Sequence, residues 1–220
     1  MTTLVLIRHG RSTANAEGIL AGRAEGVELD AKGREQAEKL GGRLAGVRFS
    51  AVYRSPILRC EQTATLAGWP DAVVEPGLTE CDYGRWTNRP LKELSQEPLW
   101  NQIQKRPSAV EFPGGESMTG MRDRLLGTVS RITQDHEEND VVALVSHGDP
   151  LKAVLSAALK QDFDDFQRIV LAPASISIIR WPANGSPSVW CINANVDLSA
   201  LLEKQPEPTV GGEDIAESDQ

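Results

Sequence analysis

Two short apolar runs, each closed by the same turn, constrain this chain more than any other feature. Leu4-Val5-Leu6-Ile7 is followed by Arg8-His9-Gly10, and Val141-Val142-Ala143-Leu144-Val145-Ser146 by His147-Gly148. Apolar runs of this length without polar alternation read as strands buried on both faces, as in the centre of a parallel sheet. In open α/β sheets, ligands bind beyond the carboxyl ends of such strands. If the two strands are parallel neighbours, two imidazoles meet over one crevice. A lone histidine after a strand is usually a hydrogen-bonded turn residue. Two His-Gly turns in a chain with 3 histidines are hard to assign to chance.

The rest of the chain reads as alternating helices and strands. Asp30 is an N-cap candidate for a helix reaching about Ala45, weakened by Gly41-Gly42. Phe49 to Tyr53 reads as a strand. Ser55-Pro56 reads as an N-cap with proline at the first helical position, and the helix to about Ala67 projects Arg59 from its first turn. Residues 13–28 show no period and read as a loop that comes close to a ligand. Ala72 to Glu75 is a short strand. Residues 78–116 are irregular, with short helices at about 90–96 and 98–105, and read as a lid over the site. A helix over about 117–137 precedes the second apolar run, and another carries Leu151, Val154, Leu155 and Leu159. Ser175 to Trp181 and Ser188 to Asn193 form a hairpin around Asn184-Gly185. Residues 204–220 lack periodicity and read as a disordered acidic tail.

These elements predict one α/β domain over 1–203, a three-layer sandwich with a mostly parallel central sheet flanked by helices, and an insert at about 82–116. The net charge of −8 argues against nucleic acid or an anionic membrane as partner. The last twenty residues carry a net of −5, so the remaining 200 are only −3. No basic region precedes a long apolar run at the start, and no run approaches the ~20 residues of a membrane span. The 3 cysteines are widely spaced and suit a reducing cytoplasm. With CxxC and HxxH pairs absent, the sequence predicts no metal site and no cofactor.

Arg8-His9-Gly10-Arg11-Ser12-Thr13-Ala14-Asn15 resembles the RHGxTxxN signature of the histidine phosphatase (phosphoglycerate mutase-like) superfamily, with Ser12 where Thr is commoner. Leu29-Asp30, Gly33 and Gln36-Ala37 match the segment that follows. Ser55-Pro56, Arg59 and Gln62-Thr63-Ala64 match its SPxxRxxQTA stretch. Leu78-Thr79-Glu80 and Gly84-Arg85-Trp86 match LxE…GxW, and Ser146-His147-Gly148 completes the set in order. The resemblance covers about residues 3–195 and is strongest to an actinobacterial branch labelled phosphomutase or phosphatase.

The resemblance implies a phosphomonoesterase of the histidine acid phosphatase type, acting on a small phosphorylated metabolite through a phosphohistidine. His9 is the expected nucleophile, a neutral imidazole being capable of one at neutral pH. Arg8 and Arg59 would clamp the phosphate, and His147, as a cation, would add a third donor. Glu80 would be the acid and then the base, with a pKa raised by enclosure near Trp86 and Tyr83. Asn15 would donate to a phosphate oxygen or, alternatively, cap a helix; Ser12 and the backbone at Gly22 are weaker phosphate-binding candidates, and Arg11 is a further cation. His136 is read as a solvated helix-end residue without a role. Trp100, Trp181 and Trp190 are read as packing. A phosphoglycerate-type mutase and an inactive phospho-ligand-binding protein are the competing readings. Oligomeric state stays open, a homodimer among the options.

Overall fold

The computed structural model describes residues 1–182 and 185–194. Strand β1 (Thr2–Arg8) leads into a short helix α1 (Thr13–Glu17) and a strand β2 (Ile19–Leu20). Where only loop was predicted, α1 forms because Ser12 and Asn15 cap each other: Asn15 N–H donates to the Ser12 hydroxyl, and Ser12 N–H to the Asn15 carboxamide oxygen. Helix α2 (Ala31–Leu44) starts at Asp30, whose carboxylate accepts from Gly33 N–H. Strand β3 (Ala51–Arg54) and helix α3 (Leu58–Leu66) follow. Here the expected cap is corrected. Ile57 occupies the cap position, and Ser55 lies fully buried with its hydroxyl turned to His147.

Strand β4 (Val73–Val74) precedes the insert, which contains β5 (Arg89–Pro90), α4 (Leu91–Leu94) and α5 (Pro98–Lys105). Helix α6 (Met118–Gln134), capped by Ser117, then runs to β6 (Val141–Ser146) and α7 (Gly148–Ala158). The chain returns in β7 (Ile176–Trp181) and β8 (Ser188–Ala194), an antiparallel pair. Asn184 of its expected turn and the acidic tail 204–220 lie outside the described residues.

The six-stranded sheet has the order β4-β3-β6-β1-β7-β8, and β2 pairs with β5 apart from it. Strands β1, β3, β4 and β6 are parallel to one another, while β7 is antiparallel to β1 and β8 to β7. The two apolar runs lie side by side, Arg8 opposite Ser146, so both turns emerge at the same edge. Their side chains alternate between two cores as the period of a strand requires. Leu4, Leu6, Val142 and Leu144 face the core built with α6, α7 and the insert. Val5, Ile7, Ala143 and Val145 face a smaller one built with α2 and α3. Each fully buried aliphatic side chain contributes on the order of 2 kcal/mol by leaving water. The result is helices on both faces of a central sheet, the predicted three-layer arrangement.

Gly41, a weak point for helix propensity, is where α2 meets α3: a Cβ there would lie 2.6 Å from the Ala67 carbonyl oxygen. The insert is packed rather than loose. Tyr83, Trp86, Leu91, Leu94, Trp100, Ile103 and Phe112 all belong to the larger core. Two readings of aromatic residues need correction. Trp190 is 63% exposed, with Arg180 over its ring, and is not core. His136 is not solvated: it bonds Tyr53 Oη and Asp140, and its side chain is only 13% exposed.

Candidate active site

His9 sits one residue past β1, held by backbone bonds on both sides. Its N–H donates to Ser146 O, and its carbonyl accepts from Ala174 N–H, each at 3.0 Å. Gly10 and Gly33 let the next turn press against α2: a Cβ on Gly10 would lie 2.5 Å from Gly33 O. The imidazole Nδ1 is 2.7 Å from Gly10 O. A carbonyl can only accept, so the ring proton is on Nδ1 and Nε2 carries the lone pair. Arg59 Nε donates to that Nε2 at 3.1 Å. Burial first, then Arg59 and Arg8, hold the His9 pKa well below its ordinary value, with the Gly10 carbonyl opposing. The ring is therefore neutral at neutral pH.

The two arginines arrive from facing elements. Arg8 is the last residue of β1, and its Nη1 donates to Leu171 O at 2.5 Å. Arg59, in the first turn of α3, donates Nη2 to Gly22 O at 2.8 Å. Its Nη1 is buried without a partner among the described residues, as is Asn15 Nδ2. Buried donors of this kind are rare, because leaving one unmade costs about 1–3 kcal/mol, and an anion's oxygens satisfy them. Two other predicted residues do different work here. The Ser12 hydroxyl is fully buried in its cap with Asn15. Arg11 is paired with Asp30. Gly22 contributes its carbonyl, and Thr87 and Tyr83 crowd its Cα so closely that a Cβ would sit 2.9–3.0 Å from them.

His147 takes the N-cap position of α7, wholly buried, its ring centroid 5.2 Å from that of His9. Its Nε2 lies 2.8 Å from Ser55 Oγ, which also accepts from Ile57 N–H at 3.3 Å. Burial, then Arg59, His9 and Arg8, push its pKa well below the ordinary value. The expected cation is thus a neutral ring in the unliganded site.

Glu80 lies 3% exposed with Oε2 4.0 Å from His147 Nδ1 and Oε1 accepting from Cys81 N–H at 2.8 Å. Its pKa is raised to about 8 by burial and then by Asp149, against Arg59, the Cys81 N–H and Arg8. With the carboxyl protonated and the ring neutral, the two meet as uncharged partners and not as an ion pair. The backbone around Glu80 is clamped. Arg124 donates to the carbonyls of Gly77, Thr79 and Glu80, Arg23 donates to Glu80 O, and both arginines pair with Glu116.

His9, Arg8, Arg59, Glu80 and His147 are thus brought together at one end of the sheet, while Asn15 stands six residues past His9 in α1 with its oxygen on Ser12. Sequence reading passed over Ser55 as a partner of His147, the Arg23–Arg124–Glu116 clamp, and Asp149. Asp149 carried a usable signal: a carboxylate, with Lys152 one turn on, in a helix whose other buried residues are apolar except Ser156. Such a site can place a neutral nucleophile, two fixed cations and a protonated carboxyl around one phosphoryl group. Among the described residues no cluster of His, Cys, Asp and Glu has the makings of a metal site. None of their helices is long and apolar enough to cross a membrane.

Known proteins resemble this chain in sequence and in fold. The chain is 29% identical over 184 residues to phosphoserine phosphatase 1 of Hydrogenobacter thermophilus, covering 81% of this chain and 86% of the relative. It is 31% identical over 199 residues to the bifunctional protein Rv2228c of Mycobacterium tuberculosis, covering 87% of this chain but spanning only 54% of that relative's length. Relatives at this level also include proteins named "Probable phosphoglycerate mutase GpmB". The solved structure of Bacillus stearothermophilus YhfR superposes with a TM-score of 0.80 at 28% identity, over 90% of this chain and 98% of that one. The family model described as "Histidine phosphatase superfamily (branch 1)" matches residues 4–194, and to that superfamily this chain belongs.

Proposed function

We propose that this protein is a phosphomonoesterase of the histidine acid phosphatase type that hydrolyses a small phosphorylated metabolite, with His9 as nucleophile. The observation that carries the reading is the pairing at one end of the sheet of a neutral imidazole, its Nε2 accepting from Arg59 Nε, with a buried carboxyl protonated up to about 8. In the first step Nε2 forms a bond to phosphorus as the ester P–O bond breaks, and Glu80 gives its proton to the leaving oxygen. In the second, Glu80 takes a proton from water, the hydroxide bonds to phosphorus and the P–N bond breaks. Arg8, Arg59, Asn15 and His147 stabilise the equatorial oxygens. Burial first, and then the charge of Arg59, keep His147 neutral; a dianionic phosphate beside it offsets both, so the ring can become a cationic donor once substrate is bound.

Phosphatase is favoured over mutase by the insert. Lys92, Lys105, Arg106 and Arg85 are exposed. Arg89 is neutralised by Glu97, 2.5 Å away. A mutase needs spare cations aimed at a second anionic group of its substrate. The unpaired cysteines, two of them buried, fit a cytoplasmic enzyme. The test is a screen of phosphorylated metabolites with inorganic phosphate as readout, with trapping of an acid-labile phosphoenzyme and with EDTA present throughout. Phosphate release that survives EDTA supports the reading. Interconversion of 2- and 3-phosphoglycerate outpacing phosphate release in the presence of 2,3-bisphosphoglycerate overturns it.

A further inference from the structure

A continuous line of hydrogen bonds and one peptide link joins the nucleophile to the acid. Arg59 donates Nε to His9 Nε2 at 3.1 Å and Nη2 to Gly22 O at 2.8 Å. The next residue along, Arg23, donates Nε to Glu80 O at 2.8 Å. Two adjacent residues of one loop thus hold the arginine that contacts the nucleophile and the main chain of the acid. The loop has little freedom here. Gly22 has a φ of +51°, and a Cβ on it would lie 2.9 Å from Thr87 Oγ1 and 3.0 Å from Tyr83 Cδ2.

Arg23 is held in turn. Its Nη2 donates to Glu116 Oε1 at 2.9 Å, and its Nη1 lies 3.7 Å from Asp82 Oδ2. The same Glu116 oxygen accepts from Arg124 Nη2 at 2.7 Å and from Asp82 N–H at 2.9 Å. The two arginines do different work. Arg124 spans the carbonyls of Gly77, Thr79 and Glu80, so it fixes the shape of the segment that carries the acid. Arg23 comes from outside that segment and ties it to the loop that holds Arg59. Stability alone explains Arg23 poorly, because its side chain is 35% exposed and ion pairs at such exposure contribute little. Its planar fork reaches a carbonyl with one nitrogen and a carboxylate with another, which fixes geometry in a way that a single ammonium head does not.

We propose that Arg23 is a positioning residue that sets the distance between the phosphate clamp and Glu80, so that the acid's proton meets the leaving oxygen of a phosphoryl group seated on Arg59. The inference rests on the phosphatase reading. Arg23 itself exchanges no proton and acts only through the placement of Glu80. Such placement matters steeply, a misplacement of about 1 Å costing about 10²-fold in rate.

The test compares full-length wild type, Arg23→Ala and Arg23→Lys on phenyl phosphate and p-nitrophenyl phosphate. Phenolate is the poorer leaving group and needs the proton from Glu80, whereas p-nitrophenolate needs little of it. In Arg23→Ala, kcat/KM should fall about 10–100-fold for phenyl phosphate and less than about 3-fold for p-nitrophenyl phosphate. Arg23→Lys keeps a positive charge beside Glu116 and Asp82 and so protects the fold. It should shift the ratio of the two probes in the same direction, by about 3–10-fold, because one ammonium does not reproduce the fork. Phosphohistidine should still form in both variants. A folded variant in which both probes fall by the same factor, or neither falls, shows a merely structural role and overturns the proposal. A rise in KM shared by both probes, with kcat unchanged, would put Arg23 on the substrate and overturn it as well. Failure of the wild type to form any phosphohistidine sinks the underlying phosphatase reading instead.

Discussion

His9 and His147 end neighbouring parallel strands just past the same register pair, Arg8 opposite Ser146, and a glycine follows each. The strands make the two rings near neighbours; their hydrogen-bond partners make them different. His9 Nδ1 faces a carbonyl, which can only accept, so the ring is locked with its lone pair on Nε2 and toward Arg59. His147 Nε2 faces the Ser55 hydroxyl, which can donate or accept, so its ring can change form as charge arrives. One ring is built as a fixed nucleophile, the other as an adaptable donor.

The largest effect should come from breaking the fixed ring. His9→Ala should abolish the phosphoenzyme and lower kcat/KM by more than about 10⁴-fold. His147→Ala should cost about 10²–10³-fold, as removal of one transition-state donor does, and should still leave a trappable phosphohistidine. Phosphoenzyme lost in the second variant but retained in the first would invert the two roles.

Next is the carboxyl beside His147. Glu80→Gln should lower kcat by about 10²–10⁴-fold and accumulate phosphohistidine with p-nitrophenyl phosphate, whose leaving group needs little protonation. The same variant has a stability signature. The folded pKa of Glu80 is about 8 against an ordinary value of 4.5. Between these values the folded state holds a proton that the unfolded state has released, so rising pH destabilises the wild type across that window. Glutamine does not titrate but still offers a carbonyl to Cys81 N–H. Its melting temperature should match that of wild type near pH 4.5 and exceed it increasingly toward pH 8. The depressed pKa values of His9 and His147 act oppositely, destabilising both proteins as pH falls below 6.5, and cancel in the difference. A gap that does not widen with pH would show Glu80 ionised in the resting site.

The sheet was legible because its central strands are apolar throughout, and no other element satisfies such runs as cheaply. His9, Arg8, Arg59, Glu80 and His147 were legible because each stands inside a motif of its own. The partners that assign their roles were not. Ser55 looked like a helix cap because Ser-Pro opens many helices, but α3 begins three residues later and frees the hydroxyl for His147. Asp149 and Tyr83 lie 66 positions apart and meet only once the insert packs against α7. Asn15 was weighed as either a cap or a phosphate donor. It caps through its oxygen and leaves Nδ2 over, so the alternatives do not exclude each other.

A milder change sharpens the comparison from the side of His147. Ser55→Ala removes the hydroxyl and leaves Nε2 without that partner in a buried site. It should lower kcat by roughly 5–10-fold with KM little changed, because the donor is still present but no longer held; losing one net hydrogen bond is worth about 1 kcal/mol. Phosphoenzyme should form as in wild type. A loss as deep as that of His9→Ala would mean that Ser55 acts on the phosphate directly.

The smallest effect on activity should come from the third histidine. His136 follows the end of α6 and sits against a different part of β3, where Nε2 is 3.1 Å from Tyr53 Oη and Nδ1 is 3.2 Å from Asp140 Oδ2. Asp140 in turn accepts from the Ser50 hydroxyl at 2.7 Å and from Glu137 N–H at 3.0 Å. The ring therefore ties the end of α6 to β3 through Tyr53 and to the start of β6 through Asp140. Every donor and acceptor in this group has its partner, and no arginine competes for a ring nitrogen. That is how a structural histidine differs from the other two. His136→Ala should leave kcat and KM within about twofold of wild type, yet cost about 1 kcal/mol of stability, or roughly 2–4 °C in melting temperature. Tyr53→Phe should cause a similar loss, and the two together less than their sum, because both remove one hydrogen bond. Additive losses would show that the Tyr53–His136 bond contributes nothing, and a tenfold fall in kcat would mean that the strands carry strain from one end of the sheet to the other.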